Sequence, residues 1–447
     1  MTLEDLLSNA YLALEKAKSR GVETAEVYIV YSEKKGVELH NNKVNRIYTA
    51  TDAGLGVRVA IGRKVGFSYT NILDENFIVK AIENAISSAK SIPEDIYWMG
   101  LPAKEATVGG DIYSPKIAYT DISKLVEVSK TMLSSAVEDK RITVVYGGSS
   151  TSVNSKVVVN SEGIEAATRS TVAGVTLELV ANEAGDTTPV VFDLLFSRVE
   201  VPDYSIVVSK ALEKALKSLH PVKLEKQEIP VVFTQIALEE LWNFTLMLSL
   251  RADAVATKRS PFHNLLNQEI ASTNLTLIDN GILPLGLYTE SYDDEGVPRR
   301  STTIIEKGIL KNFIADTYWG RRMGLKSTGN AVRTSYSQSV RIGFTNLIVE
   351  LGTTKPEEVI NDLSYGLLVD GLQGAHSSNP ESGEFSVVAT PAWLIQKGEV
   401  KPVRGVMLAG NAYELLKKVY VICNNVEQKG HLVAPWIVFE SIRTIQR

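Results

Sequence analysis

The residues that could do chemistry in this chain are its few histidines, its clustered carboxylates and one thiol. The stretch "GLQGAHSSNPESGEF", residues 371–385, sets His376 beside Ser377, Ser378, Asn379 and Pro380. Histidine next to serine raises nucleophilic catalysis, in which an imidazole takes the hydroxyl proton. Triads usually draw serine and histidine from separate segments so that the side chains converge, and no G-x-S-x-G elbow occurs here. Glycines and the Asn-Pro step instead predict a structured loop leading into the strand "EFSVVAT". The five histidines are His40, His220, His263, His376 and His431; none lies within a helical turn of another and none precedes glutamate. A helical zinc motif needs such a pair, with a glutamate to accept the proton of the metal-bound water. Cys423 and His431 lie eight residues apart, a spacing that suits a loop ligand pair. Two ligands do not close a site, and a buried thiol with a surface histidine is the plainer reading.

Three other stretches imitate sites. "GRRMGLKST", residues 320–328, places Leu325 between Gly324 and Lys326, which breaks the run of N–H groups that wraps a phosphate. A helix C-terminal turn at Gly324 is expected. "DAGLGVRV" lacks the third glycine of a dinucleotide fingerprint and also reads as a turn. Asp293, Asp294 and Glu295 are adjacent, whereas calcium loops alternate their ligands, so an acidic β-turn ended by Gly296 is expected. "NNVEQKGH" reads as an exposed turn.

The frame is a chain of 447 residues with 44% hydrophobic and 22% charged residues, which is globular and long enough for two domains. Its net charge of −5 disfavours nucleic acid, because counterion release rewards basic surfaces. The single cysteine, Cys423, fits a reducing compartment, and no apolar run reaches bilayer length, so a cytoplasmic location is expected. Leu3, Leu6, Leu7, Ala10 and Leu14 mark one face of a first helix. Short strands follow, with hairpin turns at Asn41-Asn42 and Gly62-Arg63, then a helix capped by Asp74. Another helix spans "DISKLVEVSKTMLSSAVEDK", and strands run from Ile142 to about Leu179 around a turn at residues 161–163. The charged, proline-bracketed segment 218–230 marks a boundary. One long helix, "QIALEELWNFTLMLSLRADAVA", is expected beyond it, then strands and glycine turns. The fold class is α+β, with an N-terminal α+β domain over residues 1–220 and a strand-rich, mainly antiparallel C-terminal domain over residues 228–447.

Several segments together, in order and spacing, resemble the TldD/PmbA family, once labelled modulators of DNA gyrase. They are "AEVYIVYSEKKGVELHNNKVNRIYTATDAGLGVRV", "VNSEGIEAATRST", "DDEGVPRRSTTIIEKGILKNFIADTYWGRRMGLKSTGNA", "GAHSSNPESGEFS" and "VRGVMLAGNAYELLKKVYVICNNVE". The resemblance runs nearly end to end. In the TldD-like branch it implies His-Glu-x-x-x-His on the helix after the first C-terminal strand, with a later cysteine as third zinc ligand. Here the corresponding positions fall near Asn243, Phe244 and Leu248, and Glu239 and Glu240 read as an exposed helix face. The glycine-rich segment bearing the cysteine is missing, and Cys423 does not match its place.

The chain therefore resembles the PmbA, or TldE, branch. That resemblance implies a subunit without catalytic or metal residues of its own and without a bound cofactor. It pairs with a TldD-like, zinc-bearing partner in a protease for unfolded peptides, with a homodimer as a further state when alone. The glycine loops offer candidate peptide-channel residues: Ser327, Thr328, Gly329 and Asn330, and His376, Ser378, Asn379, Gly383 and Glu384. Loops that only hold strand register are the equal alternative. Two other functions stay open: an autonomous hydrolase using His376 with Ser377 or Ser378, and a regulatory binding protein acting on a topoisomerase or DNA.

Overall fold

Period-two burial along strands far longer than the usual five or six residues builds the first half of the chain. The computed structural model describes residues 1–107, 109–110 and 112–446. Strands β1 (Thr24–His40), β2 (Lys43–Ile61), β3 (Lys64–Thr70), β4 (Ile142–Asn160) and β5 (Glu165–Glu183) form an antiparallel sheet in the order β3-β2-β1-β4-β5. β6 (Asp186–Thr187) and β7 (Val191–Ser197) both pair with β5. Asn41 and Asn42 turn the first hairpin at φ of 48° and 59°, and Gly62 turns the next at 60°, as their tolerance of positive φ predicts.

Helices cover one face of this sheet. α1 (Leu3–Lys18) and α2 (Glu75–Ser91) bury Leu6, Ala10, Ile78 and Ile82 against Val27, Ile29 and Val57. Asp74 caps α2 by accepting the Asn76 N–H at 3.0 Å. Beyond the short α3 (Pro115–Ala118), α4 (Ile122–Ala136) and α5 (Tyr204–Leu216) cover the far end of the same face around Leu39, Val175 and Leu177. The opposite face carries Tyr28, Val158 and Ala166, and the C-terminal half packs there through Tyr292 and Tyr336.

That half begins with β8 (Glu228–Phe233) and α6 (Gln235–Phe244). β8 lies inside a nine-stranded sheet, between strands 437–446 and 366–369; a six-stranded sheet stands beside it. Among the described residues, the strands of these sheets pair antiparallel except for β8 with 366–369 and for 347–349 with 432–434; isolated parallel bridges such as Arg251 with Ile314 lie outside them. The α+β, strand-rich reading holds. No helix among the described residues is long and apolar enough to cross a membrane.

Two local expectations fail. The long helix breaks into α6 and two short helices, α7 (Leu246–Ser249) and α8 (Ala252–Ala256). Thr245 leaves helical geometry (φ −128°, ψ −86°) while its hydroxyl donates to the Leu241 carbonyl at 2.6 Å. "DAGLGVRV" is strand, not turn, because its glycines serve close approach. A Cβ on Gly54 would lie 2.4 Å from the Tyr336 ring, and one on Gly56 2.4 Å from the Tyr336 carbonyl oxygen.

Candidate functional site

Where the C-terminal half leaves the N-terminal sheet, a cleft of about 420 Å³ opens over β4 and β5. Lys156, Arg198, Glu290, Asp294, Arg299 and His431 are among its lining residues. A second lobe of about 280 Å³ shares Asn154, Lys156, Glu290 and Asp294 and reaches Ser32 and Asp52.

The acidic triplet is the hinge of this junction. It is the expected turn, with Gly296 at φ 76°, but it is buried rather than a solvated loop. Asp293 pins the turn by accepting the N–H groups of Glu295 and Val297, each at 2.9 Å, and of Ala331 at 3.0 Å. Asp294 receives Lys156 Nζ at 2.8 Å, and Lys156 also reaches Glu290 at 2.5 Å. Burial opposes the Asp294 charge, yet Lys156 and Arg299 hold its carboxyl below the usual carboxylate range. Glu295 receives Arg58 at 2.8 Å; Arg58 binds Glu26 at 2.6 Å, and Glu26 also pairs with Arg333. These pairs join the two halves across as many as 307 residues of sequence.

At the inner end of the cleft, His431 stacks on Tyr288 with ring centroids 3.8 Å apart. Its Nδ1 lies 3.0 Å from the Thr345 carbonyl oxygen, so Nδ1 is the donor and Nε2 keeps its lone pair. Burial lowers the pKa of this imidazole, which is largely enclosed rather than at the surface. A Cβ on Gly430 would meet Glu239 Oε1 at 2.6 Å, which seats the His431 turn on α6. "NNVEQKGH" is accordingly not an exposed turn: Glu427–Lys429 is a strand and Lys429 is buried, reaching Asp193 at 2.8 Å.

Glu239 and Glu240 are not an exposed face either. Burial raises both carboxyls, Glu240 to about 7, where it accepts the Leu372 N–H. Between pH 4.5 and about 7 the unfolded chain ionises this group and the folded chain does not, so stability falls as pH rises across that window. Glu240→Gln keeps an acceptor for Leu372 and is expected to remove the slope. The mutant should gain on the order of 1–2 kcal/mol over the wild type between pH 5 and pH 8. Urea unfolding at the two pH values checks this; equal slopes would reject it.

The sequence-selected loops lie in two separate places. Thr328 bonds the Ala315 N–H through its hydroxyl oxygen at 2.8 Å, and Ser327 donates to the Ala315 carbonyl at 3.2 Å. Gly329 accepts from Arg299 at 3.2 Å, and Asn330, almost fully buried, donates to Asp279 at 2.7 Å. This loop braces the cleft's Arg299 from behind. The other loop flanks the end of α6. His376 and Ser377 are exposed in a single 3-10 turn after Gly374. Ser377 donates to the Gly374 carbonyl at 2.7 Å, and no hydrogen bond to His376 from Ser377 or Ser378 forms among the described residues. Asn379 accepts from Glu381 N at 2.8 Å, and Gly383, at φ 82°, lies under the Tyr413 ring. Glu384 starts strand Glu384–Ala389, as expected from the sequence.

His376 meets α6 through the Phe244 ring, edge-on with centroids 6.3 Å apart. Asn243, Phe244 and Leu248 therefore put an amide, a phenyl ring and an alkyl group where the resemblance implies zinc ligands and a general base. These residues do not fit a zinc ion. Among the described residues, no three His, Cys, Asp or Glu side chains converge as metal ligands. Cys423 is fully buried, and its thiol is pushed up to about 11 by burial, away from reactive thiolate character.

Three family models cover most of the chain. The PmbA/TldA metallopeptidase domain 1 matches residues 25–92, the central domain 115–219 and the C-terminal domain 226–446. A Methanocaldococcus jannaschii protein, MJ0231, is 31% identical over 95% of this chain and 96% of its own length. Metalloprotease PmbA of Escherichia coli O157:H7 is 26% identical, over 96% of this chain and 93% of that one. The crystal structure of TldE from Thermococcus kodakarensis superposes with a TM-score of 0.92 at 29% identity, covering 96% of this chain and 98% of that one. The chain belongs to the PmbA/TldD metallopeptidase family.

Proposed function

We propose that this chain is the non-catalytic, TldE-like subunit of a two-subunit zinc metalloprotease acting on unfolded peptides, with the metal held by a TldD-like partner. The observation that carries the reading is the end of α6 and the short helix after it, where Asn243, Phe244 and Leu248 replace a metal-binding set and Phe244 packs on His376. In this role the chain completes the peptide chamber and stabilises its partner. Strand Glu384–Ala389 pairs fully with Val406–Asn411 on one side, while strand 372–373 takes only Val388 and Ala389 on the other. The Glu384 carbonyl accepts the Asn379 N–H at 2.9 Å, and the strand-free edge from Phe385 to Val387 suits a short extended peptide, which adds by main-chain bonds with little demand on sequence. His376, Ser378, Asn379, Gly383 and Glu384 border that edge, and Ser327–Asn330 lie apart from it, where Gly329 braces Arg299 of the cleft.

Size-exclusion chromatography of this chain with a TldD-like chain, followed by a peptidase assay on an unfolded protein, tests the proposal. Co-elution with activity only in the mixture is expected. Hydrolysis by the isolated chain that His376→Ala abolishes would favour an autonomous hydrolase instead.

A further inference from the structure

A smaller cavity, of about 190 Å³, lies outside the cleft beside β3. Phe67, Trp98, Tyr318 and Trp319 contribute aromatic walls, and Asp316, Glu295 and Arg58 also line it. Asp316 is only 3% exposed. One carboxylate oxygen accepts the Trp319 N–H at 2.8 Å, capping the helix Thr317–Arg322, but no ion pair to Asp316 forms among the described residues. The cations near it are engaged elsewhere: Arg58 with Glu26 and Glu295, and Arg333 with Glu26. Arg322 lies over the Tyr97 and Trp319 rings, 3.9 and 4.9 Å from their centroids, not against the carboxylate. The lining thus joins aromatic faces to a buried carboxyl that has no ion-pair partner among the described residues. A buried carboxylate is costly without a counter-cation, and aromatic faces attract ammonium groups.

Exposed apolar side chains surround this place. Ile96 and Met99 are 68% and 58% exposed, and Tyr69 and Tyr97 are also open. Phe67 and Tyr69 belong to β3, while 96–99 follow α2 in a loop fixed by the Asp95 N–H bond to the Arg63 carbonyl at 2.9 Å. We propose that the cavity receives a lysine side chain from a second polypeptide chain, whose flanking apolar residues settle on Tyr69, Ile96, Tyr97 and Met99. The charge complementarity favours an ammonium group, and the apolar surround favours a polypeptide over a free amine. This inference does not depend on the protease role.

Burial and the nearby Glu295 push the Asp316 carboxyl up to about 7, with Asp253 adding to the rise and the Trp319 N–H and Arg58 opposing it. Asp95 faces the same cavity, and Arg333 lines it. An ammonium ligand needs the carboxylate, so binding should strengthen as pH rises through 7. The test is calorimetry on the full chain with acetylated, amidated Leu-Lys-Leu, with its norleucine counterpart and with n-butylamine, at pH 6 and pH 8. The lysine peptide is expected to bind about tenfold tighter than the norleucine peptide at pH 8, with a smaller ratio at pH 6. Asp316→Asn retains a helix cap and is expected to abolish the preference. Equal affinity for the two peptides, no saturable binding, or a preference that survives in Asp316→Asn would overturn the proposal. Butylamine binding as tightly as the lysine peptide would overturn the polypeptide assignment. Should Asp316→Asn not fold, the peptide comparison in the wild type decides by itself.

Discussion

Glu26→Leu is expected to destabilise the chain by about 3–5 kcal/mol, the usual cost of removing one partner from a buried ion pair. Glu26 is 1% exposed and bridges Arg58 and Arg333. Arg58 retains Glu295 after the change, whereas Arg333 loses its only carboxylate partner among the described residues while staying buried. Most of the loss is therefore the penalty of an uncompensated guanidinium. The double variant Glu26→Leu with Arg333→Met should recover a large part of it, because no lone charge is left behind. Chemical denaturation of the single and double variants measures the coupling. A single-variant loss below about 1 kcal/mol would mean that water reaches the junction and screens the pair.

Trp242→Ala carries the other large effect, a loss of about 3–5 kcal/mol. Trp242 is among the largest fully buried side chains and joins α6 to the core shared with Phe233, Leu241 and Phe439. Phe233 and Phe439 meet edge-on at 5.4 Å beneath this helix, so little can move to fill the gap. Phe244→Ala, two residues on and only half-buried, should cost about 1 kcal/mol. Denaturant midpoints with unchanged slopes would establish the contrast. Equal losses would show that both faces of α6 are packed alike, and that the His376 end is core rather than site.

These two effects also mark where the sequence was informative. Local chemistry was legible: the Asp74 cap, the Asn41-Asn42 hairpin and the Gly324 turn at φ 71° follow from side-chain hydrogen bonding and φ tolerance alone. Features decided by distant partners were not. Asp293, Asp294 and Glu295 look like a solvated turn because Lys156 and Arg58 stand 138 and 237 residues away from their carboxylate partners. Gly54 and Gly56 look like a turn because Tyr336, which needs their missing side chains, is far along the chain. The enclosure of His431 by Tyr288 had no local signal either. Glycines inside an otherwise alternating β pattern were the one clue available, since they mark close backbone approach. The family resemblance supplied what periodicity could not, through the order of segments that are individually unremarkable.

The most direct test of the central claim is zinc per chain after expression alone and purification without chelator, measured together with peptidase activity before and after adding a TldD-like chain. The account predicts near-zero zinc and no activity until the partner is present. About one tightly held zinc per chain would contradict it, and Cys423, His431 and His376 would then be the ligands to substitute.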